Sequence, residues 1–410
     1  MSEQDIYSGK LSHGSVPYET AKAHLQTAGP GAEQDRYAAH FSTGWDKARQ
    51  AAHSANVGHG TGTRGFEGGV PSGAEQDVYG ARFSPGHSAT ALGLIQAAVV
   101  PSFNLHAAFS TVAYGVARYT DRAEGKDWLW PTGMTANAWW SAIGSRVVNN
   151  GLSVSTAWSS LSYGEKLLLG GVTAWGSRLF YRIATRSLER DRDDPRYESL
   201  KKDPGFWNKA FFTMFLPEAA MQTIISLPFT LPFRAPGNCI QASPVHGADD
   251  RSFFISLAVF LFSAGFVTEV LADAKLASHK KDRKTGLCRD GVWSIVRHPN
   301  PSYLGDALVH FSFPLLLIGS GVFHPLTLLG PIANHVFLRL IGGDAENEAT
   351  QEERYAKEDP AKKVQFDEYR AEKNSFWPAA KELGNKWSWI VLGGGAVGVL
   401  LERSVRMMVK

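Results

Sequence analysis

The chain reads as all-α: a multi-pass transmembrane helical bundle of about six to eight spans behind a disordered N-terminal tail. Three observations predict this. Residues 1–88 are rich in Gly, Ser, Ala, His and Gln and poor in aliphatic side chains, whereas long uncharged stretches dominate after Thr90. Several of those stretches approach the roughly 20 apolar residues that a helix needs to cross a bilayer. Arg and Lys, finally, are concentrated in three of the connecting segments rather than spread along the chain.

The tail comes first. Too little apolar surface is present in residues 1–88 to offset the entropy of ordering them, so no packed structure is expected there. It carries a repeat: Glu-Gln-Asp followed two positions later by Tyr occurs from Glu3, Glu33 and Glu75. Spacings of 30 and 42 residues are too irregular for a stacked solenoid. Repeated short motifs on a tether would add avidity for a protein partner; duplication without function is the competing reading. The opening MSEQDIYSGK has no apolar core of the kind a secretory signal needs.

N-terminal membrane helices are expected over residues 89–150, a main membrane domain over 151–385, and a final hydrophobic helix over 386–410. Apolar stretches fall at 90–117, 128–145, 164–181, 210–233, 252–268 and 389–401; 307–338 is uncharged over 32 residues, long enough to fold back on itself. The stretch at 164–181 is the weakest, because Glu165, Lys166 and Arg178 interrupt it. Segments 178–209, 275–297 and 339–386 carry nine, seven and nine Arg plus Lys. The positive-inside rule puts these three on the cytosolic side, with the endoplasmic reticulum as the expected membrane. That topology sets Cys239 and Cys288 on opposite faces, so no disulfide is expected. Gly394 and Gly398 in the last segment have the spacing of a close helix–helix contact.

Candidate chemistry gathers at one junction. Arg297, His298, Asn300, Tyr303 and Asp306 fall within ten residues, immediately before the long uncharged stretch. Pro299 and Pro301 interrupt helix there and free backbone polar groups. Glu269 and Asp273, four residues apart, share a helix face at the end of a span and are expected to meet ribose hydroxyls or Arg297. Glu218 lies deep in the apolar 210–233 stretch with Gln222 one turn on. Desolvation there favours a neutral carboxylic acid able to donate a hydrogen bond to a carbonyl. His310, His324 and His335 lack metal-ligand spacing and read as core or interface histidines; no metal is expected.

The segment DGVWSIVRHPNPSYLGD from Asp290 resembles the C-terminal signature of the steroid 5-alpha-reductase-like membrane proteins. EVLADAKL from Glu269, WGSRLFYR from Trp175, QTIISLPF from Gln222, EERY from Glu352 and FDEYRAEKNSFWP from Phe366 are similar to other segments of that family. The likeness runs from about residue 170 to 378 and leaves out the tail, the 340–365 stretch and the last helix. It implies a helical membrane bundle that binds NADPH from the cytosol and reduces an activated carbon–carbon double bond in a sterol-like, steroid-like or enoyl lipid. Carried onto this chain, Asp273, Arg297, His298, Asn300, Tyr303 and Asp306 would line the cofactor site, joined by Glu269. Glu218, with Tyr303 as second choice, would polarise the substrate carbonyl. Pro301-Ser302 departs from the pattern as a two-residue insertion between Asn300 and Tyr303.

Two other classes stay open at this point. The same Arg-His-Pro corner occurs in isoprenylcysteine carboxyl methyltransferases, which would put S-adenosylmethionine in the site. A non-catalytic lipid-binding scaffold whose tail recruits partners is the other. Lipid and an apolar substrate are the expected partners, and no nucleic acid. The basic residues around 275–297 favour a cofactor with an extra phosphate over S-adenosylmethionine.

Overall fold

The computed structural model describes residues 91–189, 193–235, 247–282, 286–298, 303–341 and 344–409. Helices make up all of its regular secondary structure, and no strand occurs among the described residues. The repeats of the tail, Cys239 and Asn300 lie outside the described residues. The longer helices are labelled in chain order: α1 Val100–Thr120, α2 Leu129–Trp139, α3 Tyr163–Leu188, α4 Leu216–Ile225, α5 Leu227–Arg234, α6 Ala248–Lys281, α7 Leu304–Ser320, α8 Leu329–Val336, α9 Asp344–Glu358, α10 Pro360–Glu372 and α11 Lys386–Val409.

Among the described residues two stretches are long and apolar enough to cross a membrane: Asp249–Lys281 in α6 and Lys386–Met408 in α11. A third is added if the bent pair Phe206–Ile225 and Leu227–Arg234 forms one span. These lengths and compositions are those of a membrane protein. The bend between the pair is 64°, and Pro228 explains it. Its ring removes a backbone N–H and collides with the carbonyl four residues back, so the helix cannot run straight from α4 into α5. Apolar side chains such as Val112, Phe253, Leu400 and Leu401 stand exposed on the outer surface, which suits lipid rather than water.

The charges that weakened the 164–181 stretch all sit near its ends. Glu165 closes a capping box with Ser162: its carboxylate accepts the Ser162 N–H at 2.7 Å, and the Ser162 hydroxyl accepts the Glu165 N–H. The Lys166 ammonium lies over the Trp158 ring. Arg178, three turns further on, pairs with carboxylates of α6. Between these ends Leu168, Leu169, Val172 and Trp175 are buried against Met134, Phe229, Phe313 and Leu317, and form the main core.

Small residues let the helices approach. A Cβ on Gly265 of α6 would lie 2.5 Å from the Gly305 carbonyl oxygen of α7, so these backbones are in direct contact. Gly394 and Gly398 of α11 pack against the side chains of Val267 and Ser263 of α6, as their spacing predicts. The 340–365 stretch forms most of a helical hairpin, α9 and α10. Asp359 caps α10 by accepting the Lys362 N–H at 3.0 Å, and Pro360 occupies the first turn, where its missing N–H costs nothing.

Candidate functional site

The Arg-His corner is built by the chain leaving α6, turning through Gly291–Ser294, and reaching α7 at Leu304. Gly291 adopts φ +70°, which only glycine takes without strain. The backbone N–H groups of Arg297 and His298 donate to the carbonyls of Asn374 and Ser375, both at 3.0 Å. Sequence-distant segments are thereby stitched together at the corner.

Side chains complete the stitch. Arg297 Nε donates to Glu348 Oε1 at 2.9 Å and Nη2 to Oε2 at 3.0 Å, a fork on a carboxylate of α9. Its Nη1 donates to the carbonyls of Arg370 and Lys373. His298 Nε2 reaches Glu348 Oε1 at 2.9 Å, and Arg370 Nε reaches Oε2 at 3.1 Å. One buried carboxylate therefore serves three basic side chains. Burial alone would push the Glu348 carboxyl up, but the hydrogen bonds and charges of His298 and Arg297 outweigh it and hold it at about 2.

Beside the corner lies a cavity of about 380 Å³. Leu276, His279 and Lys280 come from the end of α6; Gly286, Leu287, Cys288 and Trp293 come from the following loop. Asn347, Gln351 and Tyr355 of α9 and Lys362, Phe366 and Tyr369 of α10 supply the rest, with Arg297 and His298. Among the described residues the lining contains five basic or imidazole side chains, four aromatic rings and no carboxylate. Chemically it suits an anion joined to flat apolar rings.

The expected site residues separate into three groups. Arg297 and His298 line the cavity. Tyr303 adjoins it: its ring centroid is 4.8 Å from that of His298, and its hydroxyl accepts from Asn347 Nδ2 at 3.0 Å. Glu269, Asp273 and Asp306 do not line it. Arg178 Nη1 donates to Glu269 at 2.6 Å, its other nitrogen donates to Asp273, and Arg182 Nε reaches Asp273 at 3.0 Å. The expected pairing with Arg297 is replaced by a ladder between α3 and α6. Asp306 points into the bundle, where it accepts from Trp175 Nε1 and Asn334 Nδ2, both at 2.7 Å.

Glu218, its side chain mostly withdrawn from solvent, does not stand alone: Lys126 Nζ lies 2.6 Å from Glu218 Oε2. Gln222 Nε2 donates to Oε1 at 3.2 Å, and Asp127 stands 3.3 Å from the same ammonium. Lys126 escaped sequence reading because it sits in a short polar turn with nothing to mark its partner 92 residues away. Glu348 escaped for a similar reason, on a helix with an ordinary charged pattern. Arg178 and Arg182 did offer a signal: two bases four residues apart match two acids four residues apart. Among the described residues no cluster of His, Cys, Asp and Glu has the arrangement to hold a metal ion. His310 packs edge-on to Trp175, His335 packs on Phe376, and His324 accepts the Leu326 N–H.

No curated protein and no solved structure matches the chain. A family model, described as protein of unknown function (DUF1295), matches residues 113–372 and so takes in the corner, its carboxylate partner and most of the helices around them. The chain belongs to the DUF1295 family.

Proposed function

We propose that this chain is a steroid 5-alpha-reductase-like membrane reductase that uses NADPH to reduce an activated carbon–carbon double bond in an apolar, sterol-like or enoyl lipid. The observation that carries the reading is the cavity at the Arg-His corner, where the described residues of the lining supply cations and aromatic rings and no carboxylate. S-Adenosylmethionine bears a sulfonium and an ammonium, which such a lining repels; a dinucleotide bears phosphates, which it attracts. At about 380 Å³ the cavity matches part of a dinucleotide rather than the whole of it. When bound, NADPH would supply a hydride to the electron-poor β-carbon of the substrate.

Tyr303 stands at the right boundary to act on the lipid. Its hydroxyl meets Asn347, while its ring packs beside His298 and belongs to an apolar cluster with Leu338, Phe376, Phe311 and Phe337. In this reading the Tyr303 hydroxyl donates to the substrate carbonyl, and Glu218 stays paired with Lys126. The basic connections face the cytosol, in the endoplasmic reticulum membrane. Broken and shorter helices complete a bundle of about six to eight crossings. The test is NADPH oxidation by the full chain in detergent with a conjugated sterol ketone, read together with product mass. Gain of one hydrogen pair supports the reading. A substrate that instead gains a methyl group from S-adenosylmethionine defeats it.

A further inference from the structure

Tyr303 is reached from the cavity by a chain of two amides. Gln351 Nε2 donates to Asn347 Oδ1 at 2.6 Å, and Asn347 Nδ2 donates to the Tyr303 hydroxyl oxygen at 3.0 Å. Both amides line the cavity, one turn apart on a single face of α9. The neighbour of Asn347 fixes how that helix is turned: Glu348 ties it to Arg297, His298 and Arg370. Two turns further on, Tyr355 packs edge-on against Phe366 of α10. A carboxamide turned the other way would offer Tyr303 an acceptor instead of a donor. Gln351 holds it in the donating sense by bonding to its oxygen.

That sense has a chemical consequence. A phenol oxygen has one hydrogen and two lone pairs. Once it accepts from Asn347, its own hydrogen points elsewhere, and in the reductase reading that direction is the substrate carbonyl. Accepting also polarises the O–H bond, which makes the hydroxyl a better donor. As the hydrogen is drawn toward the carbonyl, the charge left on the phenol oxygen meets an amide N–H already in place.

We infer that Asn347, oriented by Gln351, is a positioning residue that aims the Tyr303 hydroxyl at the lipid. This rests on the reductase reading above and adds to it the side chains that prepare its donor. Both precede the EERY segment and lie outside the segments that carry the family resemblance.

The test is a kinetic cycle on the full chain in detergent, with NADPH and a conjugated sterol ketone. Asn347→Leu keeps the bulk of the side chain and removes the donor. Its kcat should fall about ten- to a hundredfold, the worth of a hydrogen bond to an oxygen that gains charge. KM for the ketone and the calorimetric Kd of NADPH should stay within a few-fold. Asn347→Asp keeps the acceptor for Gln351 but faces Tyr303 with a second acceptor, which draws the phenol hydrogen away from the substrate; its loss should match or exceed that of Asn347→Leu. In a Tyr303→Phe background neither substitution should cost more than about twofold, because no hydroxyl remains to be aimed. Full losses in that background, an Asn347→Asp variant with wild-type kcat, or a loss confined to NADPH affinity would each overturn the assignment and leave the reductase reading standing. A wild type that binds NADPH and reduces no ketone would remove the reductase reading and the assignment with it.

Discussion

Lys126 Nζ sits 2.6 Å from Glu218 Oε2, and this pair joins the turn before α2 to the first turn of α4. Both side chains are mostly withdrawn from solvent. Removing one partner strands the other charge, which costs about 3–5 kcal/mol, whereas replacing both with apolar groups is close to neutral. Lys126→Met and Glu218→Gln should each lower the melting temperature of the detergent-solubilised protein. Lys126→Met combined with Glu218→Met should restore much of the loss. A double variant no better than the singles would show that the pair is not the reason for the Glu218 carboxylate.

The Glu348 carboxyl is held at about 2, below its ordinary value near 4.5. The charged form is favoured in the folded state, so its contribution is fully present above about pH 4.5 and fades as pH falls toward about 2. Melting temperatures of wild type and Glu348→Gln should differ most at neutral pH and converge under acid. A gap that stays constant down to about pH 3 would contradict the three-fold pairing of this carboxylate.

Much of the fold could be read from the chain because lipid and helix geometry leave a plain record. The long apolar run of α6 and the glycine pair of α11 announced themselves locally, and the structure uses both as expected. The charges in the 164–181 stretch obscured α3 because a capping residue and an interhelical base look, in one dimension, like interruptions. Half of the site was legible for the same local reason: Arg297, His298 and Tyr303 are neighbours in sequence as well as in space. The Arg, Lys, Trp and Asn partners of Glu269, Asp273, Asp306 and Glu218 lie 28 to 131 residues away. Nothing in a single sequence fixes which of several buried bases or amides meets which acid.

Tyr303→Phe keeps the ring in its apolar cluster and removes only the hydroxyl. Turnover should fall by about 10²–10³, the usual effect of losing one donor to a developing oxyanion. NADPH affinity should hold within a few-fold, since the hydroxyl contacts Asn347 rather than the cavity cations. Equal losses in binding and turnover would make Tyr303 a packing residue.

The contact between α6 and α7 should be intolerant of size. Gly265→Ala places a methyl 2.5 Å from the Gly305 carbonyl, and backbone cannot yield as a side chain can. A loss of about 1–3 kcal/mol is expected, read as a lower midpoint in thermal unfolding. Gly170→Ala, on α3 with nothing within 4 Å of the new methyl, is the matched control and should be neutral or slightly stabilising.

The central claim is that the cavity beside Arg297 and His298 receives an anionic dinucleotide. Calorimetric titration of the full chain in detergent with NADPH and, separately, with S-adenosylmethionine tests it most directly. Saturable NADPH binding that weakens steeply as salt is raised, with no heat from S-adenosylmethionine, is the predicted result. Saturable binding of S-adenosylmethionine with none of NADPH would contradict it.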